Sequence, residues 1–273
     1  MLKRALESVY AQTFRDYEII IADDGSDDGT EEIFRNSPRS IVYLKQDNSG
    51  VSAARNLGIR NSSSPYIALL DSDDTWHPQK LHMDAEFINE NPGIKIHQSE
   101  DIWIREGKRV NPQKKHLKKG GWIFPESLDL CMISPSSAVI SAEIFEKYGL
   151  FDENLRACED YDLWLRITPF EEVGLIGEKL ITRYAGHGDQ LSSLFPVMDR
   201  FRLYSIINLL KKGVLENKYK EGALVKAIEK AEIIRNGAVK RSIDSLADYM
   251  DMIINYLHEE NYKQIDSLTL LKI

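Results

Sequence analysis

The chain has little cysteine, and no stretch of apolar residues is long enough to cross a bilayer. Its two cysteines, Cys131 and Cys158, stand apart and form no Cys-x-x-Cys pair. That spacing offers neither a zinc knuckle nor a redox motif, and reduced thiols in the cytosol are the simplest expectation. No apolar run approaches the roughly 20 residues of a membrane helix. The N-terminus has a charged helical pattern, which is not that of a signal peptide. A Gly-Lys-Ser/Thr phosphate loop is missing, and so is a Gly-x-Gly-x-x-Gly turn after a strand. Neither a Walker site nor a dinucleotide fold therefore has support. Positive charge is in deficit: 35 Lys and Arg face 43 Asp and Glu, a net charge of −8. A nucleic-acid partner needs a basic footprint and is not expected. An anionic small substrate stays open, because a bound cation can supply the local positive charge.

What is present is an alternation of short strands and helices. At 273 residues the chain has room for one large α/β domain and a small appendage. Leu2, Ala5, Leu6 and Val9 share one face of an N-terminal helix. Strand patterns follow at Tyr17–Ala22, Ile41–Leu44 and Tyr66–Leu70, with helical patterns from Thr30 to Phe34 and after Gly50. This order predicts a mostly parallel sheet flanked by helices. The segment from Ile94 to Lys119 is less regular. Turn-and-strand, short-helix and helix patterns cover Ile133–Ile140, Ala142–Tyr148 and Tyr161–Ile167, and Leu180–Tyr184 suits a last edge strand. After Pro196 strand signals vanish, and apolar residues recur at helical spacing through Val197–Leu210, Ala223–Ile234, Ile243–Leu257 and Tyr262–Leu271. The expected division is an α/β domain over 1–195 and a helical region over 196–273, suited to docking or homo-oligomerisation.

Two strands end in aspartate clusters. The first is Asp23-Asp24-Gly25-Ser26-Asp27-Asp28-Gly29-Thr30, and the second is Asp71-Ser72-Asp73-Asp74 after Leu69-Leu70. Carboxylates crowded at a strand end repel one another unless a cation sits among them. Hard oxygens suit Mg²⁺ or Mn²⁺, which commonly bridge to nucleotide phosphates. In open α/β sheets such ligands bind at the carboxyl ends of strands. The plainer reading is a polar turn, with Asp71 as a cap and its neighbours solvated. A calcium loop is excluded, because placing Asp24 first puts Arg35 at the twelfth position, where an acid belongs.

Three further places carry two readings each. Lys108, Arg109, Lys114, Lys115, His116, Lys118 and Lys119 form a basic run, read as a solvated loop or as a site for a phosphorylated or anionic-lipid acceptor. Glu159 and Asp160 open a helix, where its dipole favours negative charge; they are capping carboxylates, or a general base facing a nucleotide site. His187, between Gly186 and Gly188, suits a ligand or phosphate contact or a plain loop.

Taken in order, these landmarks resemble the family 2 glycosyltransferases of GT-A fold, non-processive and inverting. The matching segments are Asp23-Asp24-Gly25-Ser26-x-Asp28-Gly29-Thr30, Gly50-Val51-Ser52-x-Ala54-Arg55-Asn56-x-Gly58, Leu70-Asp71-Ser72-Asp73-Asp74, Gly149-x-Phe151-Asp152-Glu153 and Glu159-Asp160-Tyr161-Asp162-Leu163-Trp164. They cover the first two-thirds of the chain. The resemblance implies the nucleotide-diphospho-sugar transferase fold, with the helical region appended. It implies that Asp24 contacts the base or ribose of a nucleotide-sugar, usually a UDP-sugar, with Asp23, Arg55 and Asn56 close by. Asp71 and Asp73, flanking Ser72, become an Asp-x-Asp motif, with Asp73 the direct ligand of Mg²⁺ or Mn²⁺. Asp160 becomes the catalytic base, and His187 a position near the diphosphate or metal.

The implied reaction moves one sugar to an acceptor hydroxyl with inversion. The acceptor would be a glycan or a lipid-linked molecule in glycoconjugate or surface polysaccharide synthesis. The setting would be cytoplasmic, with peripheral contact at the inner face of the membrane. The Gln-x-x-Arg-Trp motif and membrane spans of processive synthases are not found. The family's usual opening strand, of the type Val-Ser-Val-Ile-Ile-Pro-Thr-Tyr-Asn, is also not found, since Met1-Leu2-Lys3 already belongs to the helix that follows it. The alternative function is therefore a non-catalytic sugar-nucleotide or glycan-binding protein. A sugar-nucleotide pyrophosphorylase lacks its Gly-rich loop here.

Overall fold

The computed structural model describes residues 1–34, 37, 39–111, 113–186, 195 and 197–273. His187 lies outside the described residues, so the expectation placed on it has no geometric counterpart. Helix α1 (Leu2–Tyr10) buries Ala5, Leu6 and Val9. That face packs with Ile19, Trp76 and Ile181. Strands β1 (Ile20–Asp23) and β2 (Val42–Lys45) pair in parallel as a separate two-stranded sheet. Gly50, at φ 93°, turns the chain from the residues after β2 into helix α2 (Val51–Arg60). That backbone region costs glycine nothing and other residues a good deal. The small residues of α2 let it approach β1, and a Cβ added at Gly58 would lie 3.9 Å from the Ala22 Cβ.

The main sheet runs β3-β7-β5-β8-β4, where β3 is Tyr66–Ala68, β4 Thr75–Trp76, β5 Ile96–Arg105, β7 Ala138–Ser141 and β8 Val173–Ala185. A short β6 (Lys108–Val110) forms a hairpin with the far end of β5. The α/β class and the helix-flanked sheet hold, but the strands are not mostly parallel. Only β1–β2 and β5–β8 are parallel among the described pairs; β3–β7, β5–β7, β4–β8 and β5–β6 are antiparallel. Alternation of strand and helix implies parallel pairing only where each helix returns the chain to the starting end of the sheet. The irregular connection between β6 and β7 does not, and β7 enters running against β5.

β5 and β8 are the longest partners in the sheet, and both were only partly legible. β5 encloses polar side chains on both of its faces, with His97, Gln98, Ser99 and Asp101 all buried. The expected edge strand is instead an interior strand, lying between β5 and β4. Its first half contains Gly174 and Gly177, which interrupt the apolar pattern. Gly174 is required there, since a Cβ would meet the Phe87 ring at 2.3 Å. Phe87 belongs to helix α3 (Lys80–Glu90), and its ring packs on His97 with centroids 4.7 Å apart.

Helices α4 (Phe124–Asp129), α5 (Ala142–Tyr148) and α6 (Glu159–Ile167) cover the sheet. The C-terminal helices α7 (Asp199–Lys212), α8 (Asn217–Lys240) and α9 (Asp244–His258) share a buried apolar cluster with α4 and α6. In that cluster Phe124 and Tyr161 meet Leu203, Ile206 and Met250. Ala223, Ala227 and Ala231 repeat every fourth residue on α8 and are fully buried. This stripe of small side chains lies along one side of the helix and permits close packing.

Behind the sheet a charged group is fully enclosed. Lys80 donates to Asp84 at 2.5 Å, and Asp84 meets the His97 imidazole at 3.0 Å. Burial lowers the Lys80 pKa against the opposing pull of Asp84. Removing one partner of such a pair leaves a buried charge uncompensated, whereas replacing both need not. Asp84→Ala is expected to lower unfolding free energy by about 3–5 kcal/mol. The double variant Lys80→Met/Asp84→Leu should recover much of that loss. Urea denaturation followed by circular dichroism reads both, and equal losses in the two variants would show that the pair carries no coupled charge.

Candidate functional site

Three elements meet at one guanidinium. Arg55, one turn into α2, donates from Nη2 to Asp71 Oδ1 and from Nη1 to Glu159 Oε1, each at 2.7 Å. Its side chain is 12% exposed, so both bonds form largely out of water. Desolvation alone would weaken its charge; Asp71 and Glu159 outweigh it and raise the Arg55 pKa. Burial likewise pushes Asp71 towards protonation, but Arg55 prevails and holds the carboxylate below its ordinary value. At Glu159 the balance goes the other way, with burial and the adjacent Asp160 raising the pKa against Arg55. The bridge joins the turn after β3, which carries Asp71, Ser72, Asp73 and Asp74, to the first turn of α6.

The turn after β3 is held from several sides. The Asp71 amide donates to Ser136 Oγ at 3.1 Å, and the Trp76 indole donates to the Ser136 carbonyl at 2.8 Å. Arg4 of α1 donates to the Asp73 carbonyl at 2.5 Å and lies over the Tyr184 ring. Asp74 is buried and accepts the Tyr184 amide at 3.1 Å. Burial, with Asp71 and Asp73 close by, pushes its pKa up to about 6 despite Ser136 and Arg183. Ser72 is exposed, and Asp71 and Asp73 are half-buried.

Asp160 stands at the mouth of α6, next to Glu159. Its Oδ1 accepts the Tyr161 amide at 2.7 Å, and its Oδ2 accepts the Cys131 thiol at 3.1 Å. Surrounding protein and the Asp160 carboxylate push the Cys131 pKa well up, so the thiol is a donor and not a thiolate. α6 is anchored from behind, with the Tyr161 hydroxyl on the Leu128 carbonyl and the Trp164 indole on the Ile133 carbonyl. Cys158 precedes the helix in the left-handed region, at φ 60°. For a non-glycine residue this stores about 1–3 kcal/mol, a strain often found where a loop aims functional side chains.

The other residues singled out in the sequence divide by burial. Asp24 accepts Gln46 Nε2 and the Ser49 amide on Oδ1, at 2.7 and 2.9 Å, and the Gly50 amide on Oδ2 at 2.8 Å. It thereby fastens the loop that opens α2 and sets where Arg55 emerges. Asp23 is buried and turned to its own strand pair, accepting the Tyr43 hydroxyl and, at 2.7 Å, the Ser26 amide. Burial would raise its pKa, but those bonds lower it. Asn56 is 1% exposed, donates to the Phe151 carbonyl and Glu153, and accepts the Phe151 amide. It clamps the Gly149–Glu153 turn onto α2. Asn56 was expected close to the nucleotide; its amide is bonded inside the protein, to Phe151 and Glu153.

Sequence reading set Lys118 in a basic run without showing that it is buried, and it passed over Arg183; together they form a cationic wall near the acidic turn. Lys118, buried, donates to Ser137 Oγ at 2.7 Å and Gln98 Oε1 at 3.0 Å, and lies 3.6 Å from Asp101. Burial brings its pKa down to about 8. Arg183 lies 3.9 Å from Asp101, covers the Trp103 ring at 5.1 Å, and lowers the Asp71 pKa. Gln98 and Asp101 are three residues apart, so a regular strand would send them to opposite faces. The register shifts between Ser99 and Asp101 bring both to Lys118. Only strand periodicity broken at a known place would have revealed this.

As a donor set, Asp71 and Asp73 present hard oxygens beside Asp74, whose pKa is raised chiefly by burial and further by its two acidic neighbours. Among the described residues no three of His, Cys, Asp or Glu close into a ready-made cage. A Mg²⁺ or Mn²⁺ held by one or two carboxylates and completed by phosphate oxygens needs none.

Comparison with known proteins places the chain. The model of the family described as Glycosyl transferase family 2 matches residues 1–149. An uncharacterized glycosyltransferase of Rickettsia felis is 35% identical over 178 residues, covering 64% of this chain and 29% of the relative. Escherichia coli chondroitin synthase is 26% identical over 230 residues, covering 79% of this chain and 32% of that protein. The chain therefore spans under a third of either relative's length. The fold is similar to that of S. aureus TarS 1–349, with a TM-score of 0.67 at 18% identity over 99% of this chain and 86% of that one. TarS has also been solved with UDP and with UDP-GlcNAc. With more than half of its residues matched by the family model, and with an Asp-x-Asp turn and a Glu-Asp helix start joined by Arg55, the chain belongs to glycosyl transferase family 2.

Proposed function

We propose that the protein transfers one sugar from a nucleotide-sugar, a UDP-sugar by preference, to an acceptor hydroxyl with inversion at the anomeric carbon. The observation that carries this is the Arg55 bridge, which sets the Asp71–Asp73 turn and Asp160 on two sides of the same guanidinium. In this reading Asp160 takes the proton from the acceptor hydroxyl, which replaces the Cys131 thiol on Oδ2. The acceptor oxygen attacks the anomeric carbon opposite the departing nucleoside diphosphate, so the configuration inverts in one step. The protonated Cys131 is no rival nucleophile, and no covalent intermediate is needed. A divalent cation on Asp71 and Asp73 would supply charge for the leaving diphosphate. Asp24, at the loop before α2, lies on the nucleotide side. The ligands solved with TarS, UDP and UDP-GlcNAc, support the choice of a uridine donor.

Three outcomes test this. Asp160→Asn should lower kcat by about 10²–10⁴-fold, the range of a general base, with donor KM changed little. Steady-state assays with UDP-sugars read this, and retention of full turnover would remove Asp160 from the mechanism. Chelation with EDTA should abolish turnover, and added Mn²⁺ should restore it in the native protein but not in Asp73→Ala. Arg55→Met should lower both kcat and thermal stability, because Asp71 and Glu159 lose their shared cation. Normal activity in that variant would show that the bridge does not organise the site.

A further inference from the structure

The cationic wall holds one carboxylate oxygen with an unusual setting. Asp101 Oδ1 accepts the Trp103 indole at 2.7 Å. Asp101 Oδ2 is buried and, among the described residues, accepts no hydrogen bond. It lies between two cations, 3.6 Å from Lys118 Nζ and 3.9 Å from Arg183 Nη1. Both are near enough to feel its charge and too far to hydrogen-bond. The two cations differ in what else they hold. The Lys118 side chain is 6% exposed and is bonded to Gln98 and Ser137. The Arg183 side chain is 39% exposed, and among the described residues nothing accepts a hydrogen bond from its guanidinium. Strand directions bring Arg183 to the cleft. β3 is antiparallel to β7, β7 is antiparallel to β5, and β5 is parallel to β8. β3 and β8 therefore run the same way, and Asp71 and Arg183 arrive at the same edge of the sheet. The residues on either side of Arg183 fix it further, since Thr182 pairs with Thr75 and the Tyr184 amide reaches Asp74. Its charge is felt at both Asp71 and Asp74.

A planar fork of N–H donors with no bond to make suits phosphate oxygens, which it can hold in pairs. We propose that Asp101 is a counter-ion shared by Lys118 and Arg183, and that Lys118, by holding Asp101, frees the Arg183 guanidinium to contact the diphosphate of the donor. Arg183 is then a substrate contact, and Lys118 and Asp101 are positioning residues that act through it. Without the Lys118 charge, Asp101 faces Arg183 alone and draws the guanidinium back towards β5. The identity of the ligand rests on the nucleotide-sugar reading above; the sharing of Asp101 does not.

Calorimetric binding of UDP against uridine, with Mg²⁺ held constant, tests this without any turnover, because only UDP carries phosphate. Arg183→Met should lower the ratio of UDP to uridine affinity by about tenfold or more, the effect of losing a charge-assisted bond. Lys118→Met should lower the ratio in the same direction, although Lys118 does not reach the ligand. Lys118→Met/Asp101→Asn should return it towards the native value, since Arg183 is then released from Asp101. A merely structural Lys118 predicts the reverse, with the double variant no better than the single one. A pH series gives the same reading with Lys118 in place. Burial brings its pKa down to about 8, and Arg183 lowers it further against Asp101, Glu100 and Cys131. The Cys131 thiol is itself held well above its ordinary value and does not titrate there. As pH rises through that value the ammonium becomes an amine, which keeps two N–H groups for Gln98 and Ser137. The ratio should therefore fall across about pH 7 to 9 in the native chain and stay level in Asp101→Asn. The proposal is overturned if Arg183→Met keeps the native ratio, or if the native ratio is flat with pH. It is also overturned if the double variant, shown to be folded by thermal melting, fails to recover. A chain with no transfer activity that still shows these shifts would discard the transfer reading and leave the sharing of Asp101 standing.

Discussion

The geometry of the site depends on one buried guanidinium with two carboxylates. Arg55 draws Asp71 and Glu159 to 2.7 Å on different nitrogens, and each comes from a different element. Without that cation, the acids after β3 and those at the start of α6 would face each other with only the more distant Arg183 to offset their repulsion. The planar fork of arginine suits this task as lysine does not, because its donors diverge at fixed angles towards two partners. The bridge also explains why Arg55 is held indirectly from both ends of its helix region. Asp24 pins the loop before α2, and Asn56 pins the Gly149–Glu153 turn to the helix itself. Residues that looked like ligand contacts are in part the frame that aims the ones reaching the cleft.

The sheet contributes a second constraint. Its central pair carries an unusual load of enclosed polar groups, with His97 facing α3 and Gln98 and Asp101 facing Lys118. A fully apolar β5 would be simpler to stabilise, since buried charges must be matched by partners to avoid a desolvation cost. In exchange, the polar face fastens the basic segment to the sheet through Lys118 and keeps Arg183 near Asp71. The acidic turn, the cationic wall and the start of α6 thus form one connected electrostatic unit. Local charge within it is set by tertiary neighbours rather than by the chain's overall deficit of positive charge.

Much of this was legible without coordinates. The periodicity of α1, the small residues after Gly50, the apolar run ending at Asp71 and the helical character beyond Pro196 each signal local structure through side-chain spacing. The ordered acidic motifs pointed to family 2. Strand direction was not legible, because hydrophobic spacing says nothing of which way a strand enters a sheet. β5 was obscured by the polar residues it encloses on both faces, and the first half of β8 by Gly174, whose role is to let the Phe87 ring of α3 approach. Asn56 shows the same limit in a single residue. Its place in the motif is compatible with ligand contact, yet its amide is consumed by Phe151 and Glu153, which lie almost a hundred positions away.

By itself, then, the order of residues determined the class of fold, the family and the acidic chemistry available, because strand ends, helix starts and charge clusters are local properties of neighbouring side chains. Only the tertiary structure decided which acids share a cation, which motif residues turn inward, and which lysine is buried while those beside it remain in solvent. Those outcomes depend on distances between segments far apart in the chain, and on how far packing withdraws each charge from water.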